Sequence, residues 1–414
     1  MRKRVVITGA GCVSALGSNL QTFEKNIFEG LCGIKYLADP SFEPCSVRIG
    51  ALVKDCPTSS IDYDQKTLSR LDPFMIYGIK AGIEAIEASG LSKCLTLDRD
   101  RIGIFIGSGI GGLSTIEKQA YAFKKKGYKG VSPFFIPSTL ANMISGHLAI
   151  KYRYHGPNLA TATACTTGLH TILQAFDLIQ NDYADAIIAG GAESSITPLG
   201  LSGFAASKAL SAQNLSPQTA SRPFDTARDG FVMADGGAAI VIEEYEHALR
   251  RGAPMLAEIL GGGYSGDAFH MTQPHPQGYG AKLAMRVALQ RSGCAASQID
   301  ALSPHATSTP IGDSLELEAI ADIFGAHTQS LWVFPTKGMT GHLLGASGAL
   351  ESVICILALK LQSLPPAINL TSPQSPADRF RIPLQPHTKA DLTYIMNNSF
   401  AFGGANASVI FKRI

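Results

Sequence analysis

The sequence predicts an α/β protein made of two core-forming halves with largely parallel sheets. Three observations carry that expectation. Short β-branched runs ending in glycine alternate with longer stretches of helical period. The chain has 414 residues, more than the roughly 100–200 of one domain. No low-complexity linker interrupts it, so the halves are expected to share an interface.

Residues 5–8, 102–106 and 186–189 read as buried strands running into glycine. Residues 77–89 and 168–180 have apolar positions near spacings of three and four and read as helices. The second half repeats the theme, with helices over 282–292 and 315–324 and a strand over 332–334. A helix over 348–362 is stopped by Pro365-Pro366, and 394–397 and 407–411 read as strands around a glycine turn. The join falls at Arg250-Arg251-Gly252-Ala253-Pro254, dividing residues 1–252 from 253–414. No clean sequence repeat relates the two parts.

Composition narrows the function. The chain is 45% hydrophobic and 16% charged, which suggests much buried surface, in a large core or a subunit interface. A net charge of +2 offers no polyanion-scale attraction, so nucleic acid is not the expected partner. The eight cysteines, at 12, 32, 45, 56, 94, 165, 294 and 355, form no CxxC pair. That scatter favours a reducing cytoplasm over a disulfide framework or zinc site. Met1-Arg2-Lys3-Arg4 opens like a signal peptide, but the apolar run Val5-Val6-Ile7 is too short for its core. No stretch nears the roughly 20 apolar residues of a bilayer span, so a soluble protein is expected.

Thr8-Gly9-Ala10-Gly11-Cys12 lacks the third glycine and the acidic residue of a dinucleotide fingerprint, and reads as a tight strand–helix turn. Gly107-Ser108-Gly109-Ile110-Gly111-Gly112 has no Lys-Ser/Thr ending for a phosphate loop. Both are expected to be packing glycines. Cys165, after Ala162-Thr163-Ala164, opens a helix whose dipole and unpaired N–H groups favour thiolate. A nucleophile and a buried structural cysteine are both open at that position. His305, in Pro304-His305-Ala306-Thr307-Ser308-Thr309-Pro310, and His342, in Lys337-Gly338-Met339-Thr340-Gly341-His342, each sit among small and hydroxyl residues. One Cys with two such His fits thiol catalysis, and no local spacing suggests a metal site. The tail Asn398-Ser399-Phe400-Ala401-Phe402-Gly403-Gly404-Ala405-Asn406 reads either as a hairpin turn or as a gate over an apolar tunnel.

Together with Val6-Ile7-Thr8-Gly9, Ser221-Arg222-Pro223-Phe224-Asp225 and Arg228-Asp229-Gly230-Phe231, these segments resemble the β-ketoacyl-acyl carrier protein synthases of the elongating type II kind. The likeness runs nearly end to end. It implies a thiolase fold, with two similar βα halves forming a five-layer αβαβα sandwich, assembled as a homodimer. It also implies ping-pong chemistry. Cys165 takes an acyl group from acyl-acyl carrier protein, and malonyl-acyl carrier protein then loses CO₂ to give the carbanion that attacks the thioester. His305 and His342 stabilise charge on the thioester oxygen, and the N–H groups of Cys165 and Phe402 form the oxyanion hole.

By the same resemblance Lys337 is the electrostatic lysine beside the histidines, with Glu316 as its partner. Thr307 and Thr309 hold the pantetheine arm, Ile110, Phe204 and Phe400 line the acyl pocket, and Phe402 is its gate. Lys66, Arg70, Lys129 and Lys208 fall where the family docks its acidic carrier protein. No covalent cofactor is implied, since phosphopantetheine arrives on the carrier. Two departures stand out: Ala306 and Ala401 occupy positions usually glycine, and the Cβ of Ala401 is expected to stiffen the gate if that loop needs positive φ. A thiolase would need a second catalytic cysteine, and none follows Cys355. A polyketide-type ketosynthase and a chain-length or priming partner are the alternatives; a chain-length partner would lack the nucleophile that Cys165 offers.

Overall fold

The computed structural model describes residues 3–414, so Met1 and Arg2 of the basic start lie outside the described residues. The first half contributes strands β1 (Val5–Val13), β2 (Ile102–Gly107), β3 (Asn158–Leu159), β4 (Ala186–Glu193) and β5 (Gly236–Glu244). The second contributes β6 (Ala257–Gly266), β7 (Ala301–Ser303), β8 (Trp332–Val333), β9 (Tyr394–Phe400) and β10 (Ala405–Lys412). Their spatial orders are β3-β2-β4-β5-β1 and β8-β7-β9-β10-β6, the same topology twice. The two sheets join edge to edge where residues 5–7 of β1 pair with 257–259 of β6. A duplication invisible in the residues is therefore plain in the strand order.

The senses are mixed rather than largely parallel. In each half the outer three strands run parallel, while β5 and β10 lie antiparallel to both of their neighbours. Seven helices matter to the site: α1 (Pro73–Ser89), α2 (Leu113–Lys126), α3 (Met143–Tyr152), α4 (Thr167–Gln180), α5 (Tyr279–Ser292), α6 (Pro310–Phe324) and α7 (Ser347–Leu361). Helices α1 and α6 begin earlier than the apolar periodicity suggested because Pro73 and Pro310 supply ready-made first turns.

Three apolar clusters mark three helical layers. One joins α1 and α3 to the outer face of the first sheet, and another joins α5 and α6 to the second. The largest holds α4 and α7 between the two sheets. The result is the five-layer αβαβα sandwich. Segment Leu344–Leu361 is long and apolar enough to cross a membrane by composition, contrary to expectation, yet it is 89% buried inside the protein. Its apolarity serves the central layer, where both faces of a helix meet a sheet.

The glycines at the start do not make a turn. β1 continues through Thr8-Gly9-Ala10-Gly11-Cys12, with a bulge at Thr8 in its pairing with β5, and α1 lies against it. A Cβ at Gly9 would stand 2.2 Å from the Ala85 carbonyl oxygen, and one at Gly11 2.4 Å from that of Ala81. These glycines let backbone meet backbone, which a local pattern cannot distinguish from a turn.

Candidate active site

Cys165 sits in the short 3-10 turn Ala164–Thr166 immediately before α4. Ala164 takes φ 49, a left-handed conformation unusual for alanine, and so turns the chain sharply at Cys165. The thiol lies 3.1 Å from His342 Nε2. The backbone N–H groups of Phe402 and of Cys165 itself lie near the sulfur and favour its thiolate. Burial pushes the thiol up to about 12, although Lys337 and those two N–H groups pull it down. Burial therefore opposes the thiolate that the helix start was expected to favour.

His342 follows the short helix Lys337–Thr340, and its Nδ1 lies 2.9 Å from Ser347 Oγ at the start of α7. His305 leaves the end of β7, its ring centre 5.3 Å from that of His342 at an angle of 82°. Its Nδ1 is buried without a partner. Burial, and next the charge of Lys337, hold both imidazoles well below their usual pKa; His342 depresses His305 further. Both are neutral at physiological pH and present ring N–H donors without carrying charge.

Lys337 is buried, donates to the His305 carbonyl at 2.6 Å, and forms an ion pair with Glu351 of α7. Burial pushes the Glu351 carboxyl up to about 7 despite the lysine. The expected Lys337–Glu316 pairing is therefore corrected. Glu316 instead accepts the backbone N–H groups of His305 and Ala306, each at 2.7 Å, and burial pushes it up to about 8. It clamps the loop bearing His305. Ala306 itself has φ 33, so the left-handed strain falls here.

These groups open on a cavity of about 450 Å³ lined by Cys165, His305, His342, Thr307, Thr309, Phe204, Phe231, Phe400 and Phe402. Rings step away from the thiol: His342 meets Phe231 at 5.2 Å, and Phe231 meets Phe204 at 5.5 Å. On the other side Phe400 lies 6.0 Å from His305. The hydroxyls of Thr307 and Thr309 are 3.1 Å apart on one wall. Ile110 does not line this cavity; its side chain is exposed, while its N–H donates to Glu193 at 3.3 Å.

Phe402 is 38% exposed on a loop that Gly403 ties to the Met271 carbonyl at 2.7 Å. Here the concern over Ala401 is corrected. Ala401 has φ −136, which any residue adopts, and the positive φ values fall on Gly403 (83) and Gly404 (74). Ala401→Gly therefore relieves no strain and only frees the unfolded chain. It is expected to lower stability by about 0.5–1 kcal/mol while leaving the acyl-chain profile unchanged. Urea midpoints and rates with C4 to C16 donors check both halves of that statement.

The family pattern "Beta-ketoacyl synthase, N-terminal domain" matches residues 2–248, and "Beta-ketoacyl synthase, C-terminal domain" matches 256–371. The chain belongs to the β-ketoacyl synthase family. The 3-oxoacyl-[acyl-carrier-protein] synthase 2 of Vibrio harveyi is 45% identical to this synthase over 416 residues, covering 100% of this chain and 99% of that one. A β-ketoacyl synthase from Burkholderia phymatum superposes with a TM-score of 0.91 at 32% identity, covering 100% of both chains. A type II polyketide ketosynthase solved with its acyl-carrier protein also reaches 0.91, at 26% identity and full coverage of both. The fold of this synthase is thus the thiolase-like ketosynthase fold, and its chemistry is that of a condensing acyltransferase.

The four cations do not cluster at the cavity. Lys208, exposed, lines its opening, whereas Lys66, Arg70 and Lys129 lie outside the lining. Lys66 is exposed on the short helix Gln65–Leu68, Lys129 is exposed in the turn Gly127–Gly130, and Arg70 stacks 3.7 Å over the Phe134 ring. Sequence reasoning missed Glu351, Ser347, Phe231 and Ser399, whose Oγ donates to the Cys165 carbonyl at 3.0 Å. Glu351 carried a signal: it is an acid within the otherwise apolar run Ser347–Leu361.

Proposed function

We propose that this β-ketoacyl synthase elongates fatty-acyl chains by decarboxylative condensation of malonyl-acyl carrier protein with an acyl group on Cys165. The observation that carries the residue roles is the sulfur 3.1 Å from a neutral His342. In the first half-reaction the Cys165 proton passes to His342 Nε2 and the thiolate attacks the donor thioester. The N–H groups of Cys165 and Phe402 hold the resulting oxyanion. Collapse expels the carrier thiolate, which recovers the proton from His342.

In the second half-reaction His305 donates a ring N–H bond to the malonyl thioester oxygen, and so does His342 once proton exchange has given its Nε2–H tautomer, with the Ser347 hydroxyl then donating to Nδ1. CO₂ leaves, and the carbanion attacks the acyl-Cys165 carbonyl. The 3-oxoacyl product departs on the carrier, and the Cys165 thiolate takes one proton from solvent. Lys337 keeps both imidazoles neutral, Glu316 clamps the His305 loop, and Thr307 and Thr309 receive the pantetheine arm. Phe204 and Phe400 border the acyl path, Phe402 gates it, and Ile110 reaches the acyl chain only if that path extends past the present cavity.

Lys208, Lys66, Arg70 and Lys129 are the proposed contacts for an acidic carrier protein, with Lys208 on the lining of the cavity itself. Eight free cysteines support a reducing cytoplasm. We also propose a homodimer. Strand β3 ends the first sheet with both residues exposed, and Leu159, Ile136 and Ile150 add exposed apolar surface at 50%, 58% and 77%. At the other end, β8 is bridged by Arg381. A second copy pairing at β3 removes that open edge. Leu159→Lys is expected to shift the protein to monomer in light scattering, and an unchanged mass would refute this interface.

The deciding experiment exposes the parent and Cys165→Ala to acyl- and then malonyl-acyl carrier protein under intact mass spectrometry. An acyl adduct on the parent alone, then a β-ketoacyl product two carbons longer, is expected. Decarboxylation without an adduct would favour a priming partner. Repeated extension without reduction of the keto group would favour a polyketide synthase, the class of one solved neighbour.

A further inference from the structure

We infer that His170 is a positioning residue that keeps the two backbone donors around the Cys165 sulfur in register. The inference rests on the oxyanion hole proposed above. His170 lies on α4, five residues after the nucleophile, and is 8% exposed. It is not among the residues lining the cavity, so it does not touch substrate.

The two nitrogens of its ring reach opposite sides of the site. Nδ1 lies 2.8 Å from the hydroxyl of Thr163, two residues before Cys165, and 3.4 Å from that of Thr166, one residue after it. Nε2 lies 3.4 Å from the carbonyl of Asn406. Asn406 pairs with Phe400 where β9 and β10 converge, and so closes the loop that carries Phe402. Its side chain grips that loop as well, donating to the Gly404 carbonyl at 3.0 Å and to Asp267 at 2.9 Å.

The partners dictate the tautomer. A carbonyl only accepts, so Nε2 carries the hydrogen. Nδ1 then offers a lone pair, and the Thr163 hydroxyl donates to it. The Thr166 hydroxyl is already committed to the Thr163 carbonyl at 2.8 Å. One rigid ring thus spans the nucleophile turn on one side and the Phe402 loop on the other. Those two segments carry the Cys165 and Phe402 N–H groups of the proposed oxyanion hole. Burial holds the ring in its neutral form, which suits a simultaneous donor and acceptor. Tyr264 packs against it at 5.4 Å. An oxyanion hole assembled from two distant chain segments needs such a brace, because its donors stabilise charge only at fixed distances.

The test separates acyl transfer, which uses the oxyanion hole, from malonyl decarboxylation, which uses His305 and His342. His170→Phe keeps the ring against Tyr264 and removes both hydrogen bonds, whereas His170→Gln keeps a donor near the Nε2 position. Single-turnover acylation of Cys165 by acyl-acyl carrier protein is expected to fall roughly tenfold to a hundredfold in His170→Phe, a small misplacement of the donors. Gln is expected to recover part of the loss. Decarboxylation by the unacylated protein and alkylation of Cys165 by iodoacetamide, neither of which needs the hole, should stay near the parent's rates. Thr163→Val removes the partner at the other end and should reproduce the split; it decides the matter if the His170 variants do not fold. Acylation that is unaffected, or that falls in step with decarboxylation and the unfolding midpoint, overturns the inference. A parent that forms no acyl adduct while decarboxylating malonyl defeats the ketosynthase assignment and this inference with it.

Discussion

Lys337→Met is expected to lower stability by about 3–5 kcal/mol, because it strands a buried carboxylate. Glu351 has only Lys337 as a counter-charge, and its second oxygen is already buried without a partner. The double variant Lys337→Met/Glu351→Leu should regain most of the loss, since apolar groups of similar size fill the same space without an unpaired charge. Activity responds differently. His305 and His342 must be neutral, and decarboxylation is lost as pH falls through their pKa values. The charge of Lys337 is one cause of those values lying well below 6.5. Removing it lets them rise, so the acid limb of the rate moves to higher pH. That shift persists in the double variant although its stability recovers. An acid limb that stays in place in both proteins would leave Lys337 a purely structural role.

The second large effect is an asymmetry between the histidines. His342→Ala is expected to slow acyl transfer by about 10²–10⁴, the usual range for removing a general base. Of the two histidines, His342 alone lies within hydrogen-bond distance of the sulfur. His305→Ala should leave acyl transfer close to the parent's rate. It should still slow malonyl decarboxylation by about 10²–10³, the loss of one donor to developing charge. Single-turnover acylation and CO₂ release, measured separately on each variant, read the two steps. Equal losses of acyl transfer in the two variants would refute the division of roles.

The chemistry was legible because residue type and local setting announce it. Cys165 at a helix start and two histidines among small and hydroxyl residues remained ambiguous singly, and the resemblance joined them. The structure brings all three to one cavity. The partner of Lys337 was not legible. Glu316 and Glu351 are both acids on helices of the second half, and only packing puts one against the ammonium and the other against two amides. The strain expected at Ala401 fell instead at Ala306, since φ there follows from how the loop is clamped by Glu316.

By itself the sequence determined that this is an α/β chain, with strands at 102–106 and 186–189 and helices over 77–89 and 168–180. Period and turn residues are local properties, carried by a few adjacent side chains. It also singled out the thiol and the two imidazoles that share one cavity, since reactivity is a property of residue types. Tertiary structure alone decided the mixed strand senses, the repeated strand order, and the continuation of β1 through its glycines. It alone shows that burial opposes charge on the thiol and on both histidines. Those outcomes depend on how much water is excluded and on which distant segment supplies the nearest charge, and no short stretch of the chain encodes either.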